Sequence, residues 1–361
     1  MLSTSLRGEN MPNRGAIGKV CPSRDEGMSI TVCVPVYNVE KYLRECLDSI
    51  FNQDYENFDV VMIDDGSTDG SGVICDEYVK LYPQRATVVH KGNEGLLLAR
   101  REGFSRAAGQ YVMSVDSDDM LVSGALATVG AAAAKTGADV LRFAFTRERA
   151  AVVPIGAVVS FDLYSAEEKP EMLRRLCRST SGSENPMCFK AVRRECVGAD
   201  VNFSAFKGLT FAEDFLQTLT VYDRAETFCF LDATLYYYRT GSGITRAYSP
   251  HFYRDVCRCL DVAEELACEW EKEYSCEGLT TGLAACRLDS AAQYAEWMAS
   301  QGDKASLDAL RASEDFARRA WNRGAVSMLR FDRRLVIAAL RHGGYLPIAA
   351  VAKARAARAG R

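Results

Sequence analysis

The sequence predicts an open, mostly parallel α/β sheet with helices on both faces, followed by a C-terminal helical region. Three observations carry that expectation. From Ser29 onward, near-continuous apolar runs alternate with helical patterns, as in a parallel sheet covered on both sides. After Ala150 the alternation loosens, and from Ser249 to the end helical spacing dominates. The chain has 361 residues, 48% hydrophobic and 25% charged, which suffices for a large core and excludes a disordered, collagen-like or disulfide-stapled protein. No apolar run reaches the roughly 18 residues of a membrane-spanning helix.

Each element has a local reason. Residues 1–27 show no apolar period and are dense in Gly, Pro, Asn and Arg, so 1–28 reads as a disordered leader. Ile30–Val36 is a β-branched run that ends at Tyr37-Asn38. Val39, Tyr42, Leu43, Cys46, Leu47, Ile50 and Phe51 then recur at helical spacing, with Asn38 as cap. The unit repeats: strands at Phe58–Ile63, Thr87–His90, Tyr111–Val115 and Val140–Phe143, and helices at Ser71–Tyr82, Glu94–Ala108 and Gly124–Lys135. Beyond these, a strand at Met187–Lys190, a helix around Glu213–Tyr222 and a strand at Thr227–Tyr238 are the clearest pieces. The expected division is a leader 1–28, an α/β domain 29–246 and a helical region 247–361.

Charge narrows the partners. The net charge is −4, yet residues 318–361 carry +10 and the rest −14. An acidic body argues against nucleic-acid binding. The 13 cysteines form no C-x-x-C pair and follow no secretion signal, so they read as reduced, mostly buried thiols of a cytoplasmic protein. The three histidines are scattered and read as structural.

In open parallel sheets ligands collect at the carboxyl ends of the strands. Acids stand at two such ends here: Asp64-Asp65-Gly66-Ser67-Thr68-Asp69, and Asp116-Ser117-Asp118-Asp119. Either cluster alone is as readily a turn. Two in one sheet point to a ligand, and three carboxylates within four residues repel one another unless a cation binds, with Mg²⁺ or Mn²⁺ suited to hard oxygens.

Val32–Asn38 (VCVPVYN), Ile63–Asp69 (IDDGSTD), Gly109–Asp119 (GQYVMSVDSDD) and Glu213-Asp214 resemble the family 2 glycosyltransferases, over roughly Ser29 to Arg246. The resemblance implies the GT-A fold and inverting transfer of a sugar from a nucleotide diphosphate donor, usually with Mn²⁺ or Mg²⁺. It implies that Pro35, Val36 and Tyr37 line the nucleobase and that Asp65 accepts a hydrogen bond from it. Asp116 and Asp118 would form the D-x-D pair near ribose and metal, Asp118 the more direct ligand, and Asp214 would be the catalytic base. Read without the resemblance, Asp214 is an ordinary acid in a helical first turn.

Gly95-Leu-Leu-Leu-Ala-Arg-Arg-Glu-Gly103 departs from the family pattern at Leu97 and Arg101. Arg100 keeps the matching position and is assigned to the nucleotide; Arg101 reads equally as a phosphate contact or a solvated helix face, and Lys91 as a donor contact or a surface residue. Arg239 and Arg246, in Tyr236–Arg246, are further phosphate candidates. Without the Q-x-x-R-W motif of processive synthases, a single-addition enzyme is implied, probed against two alternatives: a silent nucleotide-sugar binding module and a sugar nucleotidyltransferase. The acceptor is expected to be a saccharide or lipid-linked saccharide in envelope glycan synthesis. The basic segment 318–361 either lies on an anionic membrane surface at the inner face or packs its apolar stripe on the acidic body.

Overall fold

The computed structural model describes residues 16–20, 28–151, 159–240, 249–314, 316 and 323–359. Its described residues group into two compact units. The first takes the described residues within 1–169, 186–209 and 220–243; the second takes those within 170–185, 210–219 and 244–361. Two short stretches expected in the α/β domain thus belong to the helical unit.

The first unit is built on one mixed sheet. Strands β1 (Ala16–Val20), β2 (Ile30–Val36), β3 (Phe58–Asp64), β4 (Ala86–His90), β5 (Tyr111–Ser114), β6 (Met120–Leu121), β7 (Val140–Thr146), β8 (Val159–Tyr164), β9 (Lys190–Arg193) and β10 (Phe228–Tyr237) take the order β1-β8-β10-β7-β9-β5-β2-β3-β4, with β6 on β10. The neighbours β5, β2, β3 and β4 are mutually parallel, and β2 is buried along its whole length. Helices α1 (Glu40–Phe51), α2 (Ser71–Leu81) and α3 (Leu96–Arg106) connect them, and α4 (Ala125–Thr136) leads from β6 to β7. The α1 positions Leu43, Cys46, Leu47, Ile50 and Phe51 are buried, as their spacing requires.

Three features differ from the sequence expectation. Strand β9 enters antiparallel between β5 and β7, so β7 does not continue the parallel sheet. The supposed leader contains β1, which pairs antiparallel with β8; a Cβ on Gly18 would stand 2.1 Å from the Phe161 ring, which would have to shift. Residues 1–15 and 21–27 lie outside the described residues. Asn38 does not cap α1: Val39 occupies that position, while Asn38 sits at φ +48°.

The second unit contains α7 (Phe252–Glu273), α8 (Leu279–Gln301), α9 (Lys304–Ala312), α10 (Arg323–Met328), α11 (Phe331–Arg341) and α12 (Tyr345–Ala359). Helices α7, α10, α11 and α12 all pack on α8. The buried Arg287 of α8 joins Asp261 and Glu264 of α7, each at 2.9 Å. Arg333 of α11 and Arg355 of α12 converge on Glu296 of α8, both at 3.0 Å. Val336, Ile337 and Leu340 are buried, so one side of the basic segment meets the body through apolar burial and ion pairs. Among the described residues no helix is long and apolar enough to cross a membrane.

Candidate active site

Chain order makes the site. From β2 the chain moves outward through β3 to β4, then returns to add β5 on the other side of β2. The carboxyl ends of β2 and β5 therefore form a topological switch point, where connecting loops diverge and leave a crevice. Tyr37 follows β2, Asp65 follows β3 and Asp116 follows β5 by two residues.

Hydrogen bonds hold these ends together. The Asp65 N–H donates to the Val36 carbonyl at 2.9 Å. Asn38 Oδ1 accepts the Thr68 N–H at 2.7 Å, Asp69 Oδ2 accepts the Glu40 N–H at 3.1 Å, and Glu40 Oε2 accepts the Gly70 N–H at 2.9 Å. Gly66 turns the loop at φ +76°; a Cβ there would meet the Asn93 backbone nitrogen at 2.8 Å. Pro35 and Val36 are buried, whereas Tyr37 is half exposed, presenting a ring beside the strand ends. The buried Asp65 carboxylate accepts the backbone N–H groups of Glu94, at 3.0 Å, and Gly95, at 2.8 Å. Lys91 Nζ stands 4.0 Å from Asp65 and 2.5 Å from Glu94.

The second cluster is sorted by its surroundings. Arg100 is buried, donating from Nε to Ser114 Oγ and from Nη2 to Asp116 Oδ1, both at 3.0 Å. Its geometry makes it a holder of Asp116. Asp119 is buried, accepting the Tyr236 hydroxyl at 2.9 Å and the Arg239 N–H at 2.7 Å. Burial, reinforced by the Asp116 charge, pushes its carboxyl up to about 8. Arg239 Nε donates to the Asp118 carbonyl at 2.7 Å and its guanidinium pairs with Glu45, which also pairs with Arg149. Repulsion among three exposed carboxylates is thus not the arrangement: Asp116 has a guanidinium, Asp119 turns inward, and Asp116 and Asp118 are half-buried. Among the described residues no group of three or more His, Cys, Asp or Glu side chains is arranged to hold a metal ion.

Other candidates fall elsewhere. Arg101 is neither solvated nor a phosphate contact in this arrangement; it is buried, donates to the Val197 carbonyl at 2.7 Å and to Gly198, and lies over Phe203. Burial pushes its guanidinium down to about 10. Arg246 and the glycines at 241 and 243 lie outside the described residues. In the second unit, Glu213 and Asp214 open α6 (Glu213–Arg224), and Asp214 is half-buried. Ala212 before them has φ +61°, a left-handed conformation costing a residue with a Cβ roughly 1–2 kcal/mol. Tyr236 and Glu45 carried no sequence signal as site residues; the β10 pairing brings Tyr236 to the Asp116–Asp119 turn, and Glu45 of α1 meets it through Arg239.

His90 bridges Asp64, at 2.7 Å, and Asp76, at 3.2 Å. The Asp64 hydrogen bond is the main cause of its raised pKa. For Asp64, burial pushes upward, but hydrogen bonds from Ser67 and His90 outweigh it and hold the carboxyl low. The raised His90 contributes stability that is fully present below 6.5 and lost as pH rises through its folded value. The lowered Asp64 contributes above 3.8 and loses that contribution as pH falls through its folded value. Melting temperature should therefore decline as pH rises above 6.5, and His90→Gln should flatten that decline in a scanning-calorimetry series; an unchanged slope would mean His90 is not its source.

Comparison with known proteins agrees with the fold. Residues 31–198 match the family described as glycosyl transferase family 2. Glycosyltransferase GlyA of Streptococcus pneumoniae serotype 4 is 51% identical over 92 residues, 26% of this chain and 13% of that protein. Glycosyltransferase GlyG of the same organism is 41% identical over 113 residues, 31% and 37% of the two chains. The match to these relatives spans well under two thirds of their own lengths. Residues 1–349 of S. aureus TarS, solved with UDP-GlcNAc, align with a TM-score of 0.62 at 22% identity, covering 92% of this chain and 93% of that one, and show the same fold. With its strand-end acids on that fold and its match at 31–198, just under half of its length, the chain is similar to glycosyl transferase family 2 over that stretch.

Proposed function

We propose that the protein is an inverting glycosyltransferase that moves a single sugar from a nucleotide diphosphate donor, UDP-linked, to a saccharide or lipid-linked acceptor in envelope glycan synthesis. The observation carrying this reading is the switch point between β2 and β5, with Tyr37, Asp65 and Asp116 following the carboxyl ends of β2, β3 and β5. Teichoic-acid biosynthesis proteins GgaB and GgaA of Bacillus subtilis are among the relatives, 39% and 36% identical over about a quarter of this chain, which supports the envelope assignment.

In this reading Pro35, Val36 and Tyr37 border the base, and Asp65, fixed by the Glu94 and Gly95 N–H groups, accepts a hydrogen bond from it. Arg100 orients Asp116 toward the ribose. Asp118 and Asp116 would hold Mn²⁺ or Mg²⁺ through their hard carboxylate oxygens. Such a cation supplies charge neutralisation on the departing diphosphate. Asp214 takes the acceptor hydroxyl proton as that oxygen bonds to the anomeric carbon and the nucleotide diphosphate leaves from the opposite face. Enzyme action is placed at the cytoplasmic side, peripheral to the membrane.

UDP, the nucleotide present in solved TarS, is the probe. Calorimetric titration of UDP with Mn²⁺ should give binding that weakens on the order of 10-fold or more when EDTA is added, since cation-bridged phosphate contacts are lost. Equal affinity in both conditions would remove Asp118 from the metal role. Absence of any nucleotide binding, with no donor hydrolysis, would overturn the transferase reading.

A further inference from the structure

The structure sorts the arginines of the basic segment into two sets. Arg333 and Arg355 point inward, onto Glu296, Asp289 and Asp332. The opposite side of α11 exposes Phe331, Arg334, Leu335, Ala338, Arg341 and His342, a stripe at helical spacing with no acid in it. Phe331 is 75% exposed and Leu335 46%, although Val336, Ile337 and Leu340 on the same helix are buried. Met328 (47%) and Leu346 (79%) flank the stripe. Four of the nine large apolar side chains exposed among the described residues therefore fall between 328 and 346. Scattered exposed apolar residues need no explanation; several gathered on one short cationic surface do.

The cations around these residues leave the stripe basic. Arg330 is 81% exposed, with Asp332 at 3.6 Å. The Asp332 carboxylate is in turn closer to Arg355, at 2.5 Å. Arg334 donates to the carbonyls of Leu329, at 2.8 Å, and Ser327, which leaves its charge uncompensated by those contacts. Residues 318–361 carry +10 while the rest of the chain carries −14, so positive charge is concentrated here on an otherwise acidic protein.

We infer that the outward face of α11, with Phe331 and Leu335 as its apolar wedge and Arg330, Arg334 and Arg341 around it, docks on an anionic lipid bilayer. The inference deepens the peripheral location proposed above and rests on it. Charge complementarity selects the occupant: an anionic leaflet attracts each arginine, and its interface accepts the ring and the leucine, whereas a second copy of the same cationic stripe would repel it. The wedge enters only the headgroup and upper acyl region, which suits a helix whose other face is already spent on α8.

The full chain is mixed with phosphatidylcholine vesicles containing roughly one-third phosphatidylglycerol and sedimented. It should bind at about 0.05 M NaCl and be released at about 0.5 M, where the Debye length is short. The full-length double variant Phe331→Ser/Leu335→Asn, which keeps every charge, should lose on the order of 10-fold or more in partition while its melting temperature stays unchanged. Arg330→Gln/Arg341→Gln, which keeps the wedge, should weaken binding at low salt only. Failure of the full chain to sediment with anionic vesicles overturns the inference, as does unchanged binding by the wedge variant. Light scattering that shows the wedge variant abolishing a dimer, with no vesicle binding by either protein, assigns the stripe to a second copy and overturns it too. UDP titration of the same samples is independent of lipid, so loss of one reading leaves the other measurable.

Discussion

Asp214→Asn should lower glycosyl turnover by roughly 10²-fold or more while UDP affinity changes little. The amide keeps the size of the carboxylate but accepts no proton, so only a step that transfers one is affected. A simple structural role for Asp214 would behave differently. It would alter stability, or raise KM and lower kcat together, because a first-turn acid contributes to its helix about 0.3–1 kcal/mol and nothing to proton transfer. The discriminating measurement is donor binding by calorimetry beside turnover at saturating acceptor. Near-normal turnover would pass the base to another group, and Glu213 is first to test. The backbone supports a special position here: Ala212 holds φ +61° directly before the pair. Ala212→Gly relieves that conformation, so retained stability with altered turnover would tie the elbow to the chemistry.

The second large effect is expected at Asp119. Asp119→Ala leaves the buried Tyr236 hydroxyl and the part-buried Arg239 N–H without their carboxyl acceptor. Each orphaned group costs about 1–3 kcal/mol. Against this, the wild-type carboxyl carries a burial penalty large enough to push it up to about 8, and the alanine variant is relieved of it. The loss should win, giving a net destabilisation of about 1–3 kcal/mol in urea unfolding. Nucleotide binding should weaken as well, because the same contacts fix the turn that presents Asp116 and Asp118. Asp119→Asn retains an oxygen acceptor and should fall between the two. An alanine variant within about 0.5 kcal/mol of wild type would show that the Tyr236 and Arg239 contacts are incidental.

Which parts of this were legible in the sequence follows from range. The parallel run β2 to β5 and its helices were legible because each element announces itself within about a dozen residues, by apolar runs or helical spacing. The strand-end acids were legible as positions for the same reason. Strand β9 was misplaced: Lys190-Ala-Val-Arg193 has little pattern, and Lys190 is buried, so its place between β5 and β7 is set by partners distant in sequence. Strand β1 is similar, five residues with Gly and Lys whose identity as a strand comes from β8. Within the site, residue type misled where burial decides the role. Arg101 reads equally as a phosphate contact or a solvated surface cation until its neighbours at Val197 and Gly198 are known. Asp119 reads as a third metal ligand until Tyr236 is seen to face it.

The discontinuous second unit has a consequence for biosynthesis. Residues 170–185 leave the ribosome about a hundred residues before α8, at about 5–20 residues per second. In the finished protein Met172, Leu173 and Leu176 of this stretch are fully buried, and the Cys177 carbonyl accepts the Cys286 thiol of α8 at 3.4 Å. A Cβ on Gly282 would stand 2.8 Å from that same carbonyl, so the fit is closed by a residue made much later. For several seconds of synthesis this stretch lacks the α8 partner that Cys177 meets. Nascent chains stalled before Leu279 are where a holdase chaperone should be found bound, and release should coincide with emergence of α8.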